Sequence, residues 1–222
     1  VNLSSIHIEK TDELSNPDYK SAQKYSLKAI EINQANLAAR NNLGLCYYKE
    51  KKYVESVNEF NQILSIDSNF IEAHKNLGIL YNYLGEYKKS EEYFKNAIKI
   101  NPNDNFNFYI LSEVQFFQNK FSEGFKNFNY RFKKMDNQPF VTKPNFSIPT
   151  WKPNMGHDKI LIWGEQGIGD QINFGTLIPE LLEIQKKIII KVDSRLKDIF
   201  KNTFPNIEVV GEDFCVKKEN YD

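Results

Sequence analysis

Cysteine, tryptophan and histidine are scarce in this chain, at two, two and three residues out of 222. Cys46 and Cys215 have no partner cysteines around them, so neither a disulfide framework nor a thiolate metal knuckle is encoded. His7, His74 and His157 lie far apart without metal-ligand spacing, and no metal site is expected. His74 falls on a helix, where packing, exposure or a groove-facing position are all open to it. No charge sign dominates: 29 basic and 29 acidic residues give a formal net charge of zero. That balance speaks against a dedicated nucleic-acid binder, which carries a basic excess. No apolar run approaches the roughly 20 residues of a membrane span, and no basic-then-apolar leader opens the chain. A reduced, cytoplasmic setting is the expectation. The start at Val1 without Met, and the stop at Tyr221-Asp222 just after a strand-like run, read as the ends of a fragment.

What is present is a generous apolar fraction of 41%, with 14% aromatic, enough for one large core or two modest ones. Shifting the sequence by 34 residues lays Leu43, Gly44 and Tyr47 on Leu77, Gly78 and Tyr81. The same shift lays Tyr53, Phe60 and Ile66 on Tyr87, Phe94 and Ile100. A third copy, with Leu111, Ser112, Phe121 and Phe128, is weaker. A step backwards aligns Tyr19, Ala29 and Ile32 as the second helix of a copy whose first helix is poorly formed or cut off. Within each copy the Leu-Gly pair and the Tyr lie on one face of a first helix. Gly44 and Gly78 let a second helix approach, Phe60 and Phe94 fill the gap between the two, and Pro102 stops a helix before the next copy. At these positions residues 17–134 resemble tetratricopeptide repeats, which implies helix pairs stacked into a curved solenoid that presents a groove to a protein or peptide partner.

Asn42 and Asn76 precede the Leu-Gly pair in successive copies and are expected to stack along the inner wall. An amide both donates and accepts, which suits the backbone of an extended peptide. The pair resembles the asparagine ladder in the repeats of the O-linked N-acetylglucosamine transferases. Plain composition also accounts for it, since the chain is rich in asparagine, and Ile110 in the third copy would keep any ladder short.

The helical period fades near Lys134, and Pro139, Pro144, Pro149 and Pro153 predict an extended linker over 135–158, with Trp151 as a packing anchor. Residues 159–222 change character. The run Ile160, Leu161, Ile162 reads as a buried parallel strand. A tight turn with Gly164, Gly167 and Gly169 follows, and Asp170 stands where a helix begins, so a pocket favouring negative charge is expected there. Ile172, Leu177 and Leu181 or Leu182 continue one helix face, which Pro179 kinks or restarts. KIIIKV (187–192) is a second strand, Ser194 an N-cap for a short helix to Phe200, and IEVV (207–210) a third strand. Strand, helix, strand, helix, strand is the first half of a Rossmann-like, doubly wound parallel sheet. Dinucleotide binding fails on detail: Ile172 and Gln166 stand where the glycine fingerprint needs small residues, although Asp193 occupies the place of a ribose-binding acid. No Gly-Lys-Ser/Thr follows, which excludes a P-loop.

The stretch EQGIGDQI, with Pro179 and Leu181-Leu182 behind it, resembles the opening of the heptosyltransferase-like glycosyltransferases. The order of repeats, Trp151 linker and Glu165–Asp170 resembles the bacterial branch that carries tetratricopeptide repeats ahead of such a domain. The resemblance implies that Asp170 lies near the acceptor and acts as general base on its hydroxyl. It implies that Gly167 and Gly169 let the substrate approach the backbone, and that Glu165, Gln166 and Gln171 meet substrate hydroxyls. A helix N-cap is the other role open to Asp170, and the two can coexist. No cofactor is implied. A nucleotide-sugar donor would be a substrate bound mainly by a second domain that these 222 residues do not contain, so the fragment alone is expected to be inactive. A sugar acceptor and a protein partner are the expected ligands. The competing reading is a non-catalytic interaction module with a structural α/β extension.

Overall fold

A computed structural model describes residues 19–135, 138–139, 159–165, 167–184 and 187–214. Trp151, Gln166, Cys215 and the linker prolines after Pro139 lie outside them. The chain divides into two compact units, residues 1–140 and 141–222.

The first unit is a run of antiparallel helices: α1 (Tyr19–Ile32), α2 (Leu37–Lys49), α3 (Tyr53–Ile66), α4 (Ile71–Tyr83), α5 (Tyr87–Ile100), α6 (Asn105–Phe117) and α7 (Phe121–Phe128). Two turn devices repeat with the sequence period. Between pairs, the side chains of Asn33, Asp67 and Asn101 accept from the backbone N–H two residues on, at 3.0, 2.9 and 3.1 Å, and each stops the preceding helix as an Asx turn. Within pairs, Lys51, Gly85 and Asn119 occupy the left-handed region at φ 61, 76 and 58°, reversing the chain from first to second helix. Asn36 caps α2 and Asp104 caps α6 through their side chains.

The helix pairs close through a ring and a notch. Phe60 and Phe94 are fully buried; a Cβ on Gly44 would come within 2.7 Å of the Phe60 ring, and one on Gly78 within 2.9 Å of the Phe94 ring. Only glycine admits the ring at that distance. The third pair reverses the arrangement. Buried Ser112 stands at the glycine position of α6, while Gly124 on α7 receives the ring of Phe116 from α6, 2.6 Å from where a Cβ would be. After α7 the chain makes a 3-10 turn (Asn129–Phe132) and a small antiparallel hairpin of β1 (Lys134–Met135) and β2 (Gln138–Pro139). Tyr130 of the turn stacks on Phe108 of α6 at 4.1 Å.

The second unit holds a parallel sheet in the order β3 (Ile160–Trp163), β4 (Ile188–Lys191), β5 (Glu208–Val210). Between β3 and β4 run α8 (Ile168–Gly175) and α9 (Ile178–Ile184), and between β4 and β5 a 3-10 turn followed by α10 (Lys197–Thr203). Pro179 restarts the helix: Thr176 and Leu177 form a turn and α9 begins at Ile178, because proline fits a first turn and not an interior. Ile188, Ile189 and Ile190 are all buried, the two-faced burial of a central parallel strand. Ile188 and Ile190, on one face, share a core with Ile160, Ile178, Leu196, Phe200 and Val209. The expected N-cap at Ser194 is corrected to Asp193, whose carboxylate accepts the Arg195 N–H at 2.9 Å.

Candidate functional site

In the repeat unit the two asparagines of the expected ladder are not equivalent. Asn42 is exposed on α2, whereas Asn76 on α4 is buried. The Asn76 amide donates to Asn41 Oδ1 at 2.8 Å. It ties two successive first helices together, and only Asn42 presents its amide to solvent. The difference has a local cause: a preceding first helix with an acceptor at the right register stands beside Asn76, and the described residues contain none beside Asn42. His74 proves to be a packing residue, buried against Tyr93 with Nε2 donating to the Ser68 carbonyl at 2.9 Å.

Charged groups reinforce the joints both within and between pairs. Lys75 reaches the capping Asp104 at 3.0 Å and Arg40 reaches Glu59 at 2.9 Å. Glu91 is the deepest of these carboxylates. Burial alone would raise its pKa, but hydrogen bonds from Lys120, Lys95 and Gln118 outweigh that and hold it at about 2. Gln118 and Lys120 belong to the next turn along the stack, so this cluster fastens α5 to its neighbour.

In the second unit the strand-end turn is filled rather than open. A Cβ on Gly164 would run into Cδ of Gln171; the Gln171 side chain lies across the glycine, and its Oε1 accepts the Asp193 N–H at 3.0 Å. Gln171 thus links the carboxyl ends of β3 and β4. The expected anion pocket over Gly164 is corrected accordingly, because a side-chain amide occupies that space. Gly169 is not in the turn: α8 starts at Ile168 with Gly167 as its N-cap, so Gly169 and Asp170 lie in the first helical turn. Asp170 is therefore not the N-cap, although it sits where a carboxylate meets the positive end of the helix. Asp170, Gly167 and Gly169 are exposed, Glu165 half-buried, and no neighbouring atom lies within 4 Å of a Cβ built on Gly169.

Asp193 is engaged as well. Arg195 grips both its oxygens, Nε to Oδ1 at 2.9 Å and Nη2 to Oδ2 at 2.7 Å. That guanidinium, helped by the Arg195 backbone N–H, lowers the carboxyl to about 2. A carboxylate held in this fork has few lone pairs left for a ribose, which adds to the failed glycine pattern. Among the described residues no cluster of histidine, cysteine and carboxylate could hold a metal ion, and no helix is long and apolar enough to cross a membrane. Gln171 as a strand-to-strand link was not legible from spacing, since nothing in the sequence pairs it with Gly164 or Asp193.

Residues 37–70 and 71–104 each match a tetratricopeptide repeat family model. The chain therefore carries tetratricopeptide repeats, and such repeats define a protein-interaction scaffold. Protein FlbA of Caulobacter vibrioides is 25% identical over 206 residues, covering 83% of this chain and 33% of that protein. The Drosophila melanogaster protein O-mannosyl-transferase Tmtc3 is 29% identical over 96 residues, covering 43% of this chain and 10% of its own length. The chain thus spans a third or less of these relatives. The crystal structure of MamA superimposes with a TM-score of 0.48 at 16% identity, over 52% of this chain and 67% of that one.

Proposed function

We propose that the repeats hold an extended segment of a partner protein against the first helices, with the solvent-facing Asn42 amide reading the segment's backbone. The observation that carries this is the inequality of the two asparagines: Asn76 is spent on Asn41, while Asn42 keeps both donor and acceptor for a ligand. The test is selection from a random-peptide library on the purified protein, followed by affinity measurement. Asn42→Ala should weaken a selected peptide about fivefold, the effect of one lost net hydrogen bond, whereas Asn76→Ala acts on stability. Equal affinity for wild type and Asn42→Ala would remove the amide from the binding site, and a library that yields no binder would sink the peptide groove itself.

A second reading concerns residues 159–222 as the opening of a Rossmann-like, nucleotide-sugar-dependent glycosyltransferase domain, with 135–158 as the joining segment. It is favoured by the exposed Asp170 in the first turn of the helix after the first parallel strand, a position from which a carboxylate can take a proton from an acceptor hydroxyl. Glu165 and Gly167 precede that helix and Gly169 lies in its first turn beside Asp170, while the Gln171 side chain accepts from the Asp193 N–H. In the full-length protein Asp170→Asn should abolish transfer from a nucleotide sugar while leaving the melting temperature unchanged. Undiminished turnover rules out the base, and absence of transfer from a panel of donors rules out the transferase.

A further inference from the structure

The second helices α3 and α5 are each covered along one edge by the last turn of the following first helix. Tyr53 meets Tyr83 at 5.4 Å, and Tyr87 stacks on Phe117 at 5.0 Å. One turn further along the second helices, Val57 packs into the core and Glu91 is sealed by Gln118 and Lys120 of the next turn. On α7 the equivalent residues are Phe121 and Phe125, and they are 54% and 61% exposed, although the Phe116 ring meets each of them from α6. The described chain after α7 does not cover them: the 3-10 turn folds back onto α6, where Tyr130 stacks on Phe108. Residues 139–151, which stand in register for the next first helix, carry Pro144 and Pro149, and proline in a helix interior removes a donor and clashes with the preceding turn.

We propose that this face of α7 accepts an amphipathic helix from another protein, seated where the next first helix would stand. The chemistry of the face specifies the occupant. An aromatic side chain in the occupant's last turn covers Phe121, as Tyr83 and Phe117 cover their partners. An aliphatic group follows it over Phe125, because the lysine and glutamine that answer Glu91 have no carboxylate to meet here. The contact continues the inter-repeat interface already built into the chain, and it is separate from the Asn42 surface.

The probe is a synthetic peptide of residues 70–86, the segment that covers Tyr53 and Val57 within this protein. Titrated into the isotope-labelled full chain, it should give saturable NMR shifts centred on Phe121–Phe128, with a Kd on the order of 100 µM for so small a contact. Phe121→Ser should weaken it at least about tenfold, with helicity by circular dichroism unchanged because the ring is largely solvent-exposed. Three results overturn the proposal: no shifts at millimolar peptide, a concentration-dependent dimer by sedimentation that Phe121→Ser abolishes, or altered hydrogen exchange of residues 140–158 in that variant. The second assigns the face to another copy of this chain and the third to the chain's own linker.

Discussion

Ser56 Oγ donates to the Gly44 carbonyl at 2.8 Å across the helix pair, and Ser90 repeats the contact to Gly78 at 2.7 Å. Each serine lies one turn before the phenylalanine that enters the glycine notch, so a single pair of positions carries both the polar and the apolar fastening. Both serines are completely buried. Ser90→Ala should cost about 1 kcal/mol in urea unfolding, the worth of one buried hydrogen bond. Gly78→Ala should cost about 1–3 kcal/mol by overpacking against Phe94. Phe94→Leu in the Gly78→Ala background should recover part of that loss, and a double-mutant cycle measures the coupling. A strictly additive cycle would separate the notch from the ring.

The left-handed residues in the three turns make a second experiment. Gly85 has open space where a Cβ would go, so Gly85→Ala tests backbone conformation without any clash. It should destabilise by about 1–2 kcal/mol. Lys51→Gly, at the equivalent turn, should be neutral to stabilising by up to about 1 kcal/mol, since glycine relieves the left-handed penalty but frees the unfolded chain. Thermal melts of the two variants should move in opposite directions or leave Lys51→Gly level with the wild type.

Glu91 ties acid stability to the joint between repeats. Its carboxyl lies at about 2 against an ordinary value of 4.5. A depressed folded-state pKa contributes stability that is present above the unfolded value and lost as the pH falls towards the folded value. The wild type should therefore lose stability progressively between about pH 5 and pH 2 through this group. Glu91→Gln should be less stable at pH 7 and flatter across that window, as urea midpoints at several pH values would record. Parallel pH profiles for the two proteins would mean that the carboxylate is not coupled to folding.

The Gln171 link predicts a local effect. Gln171→Ala should leave the Asp193 amide without its acceptor and speed its hydrogen exchange about fivefold or more, the equivalent of one net hydrogen bond. Gly164→Ala should displace the same side chain and expose the same amide. The double variant should then exchange no faster than either single one, and an additive effect would dissociate the two positions.

The period, the glycine notches at 44 and 78 and the rings of Phe60 and Phe94 were readable from the sequence because each depends on side-chain volume at fixed spacing. The parallel strand–helix–strand succession was readable because three apolar runs separated by helical segments have few other arrangements. The reversed third pair was not, since Ser112 simply looks like a degraded glycine position until Gly124 and Phe116 are seen in contact. Asn76 was misplaced for a related reason. Periodicity assigns the same environment to Asn42 and Asn76, yet an end of a stack and its interior differ by a whole neighbouring helix. Asp170 was shifted from cap to first turn because a helix boundary depends on backbone angles around Gly167 that residue type alone does not determine.

The exchange of ring and notch in the third pair bears on how a chain of look-alike helices finds its order. Pairing α4 with α7 would set Asn82, the residue in register with Phe116, over the Gly124 notch and leave that notch unfilled. Pairing α6 with α5 would drive the Phe116 ring towards Ser90, which stands in register with Gly124 and offers no notch. Mispaired hairpins are penalised from either side, so the third pair works as a key cut differently from the first two: it records, in two residues, which end of the array it belongs to.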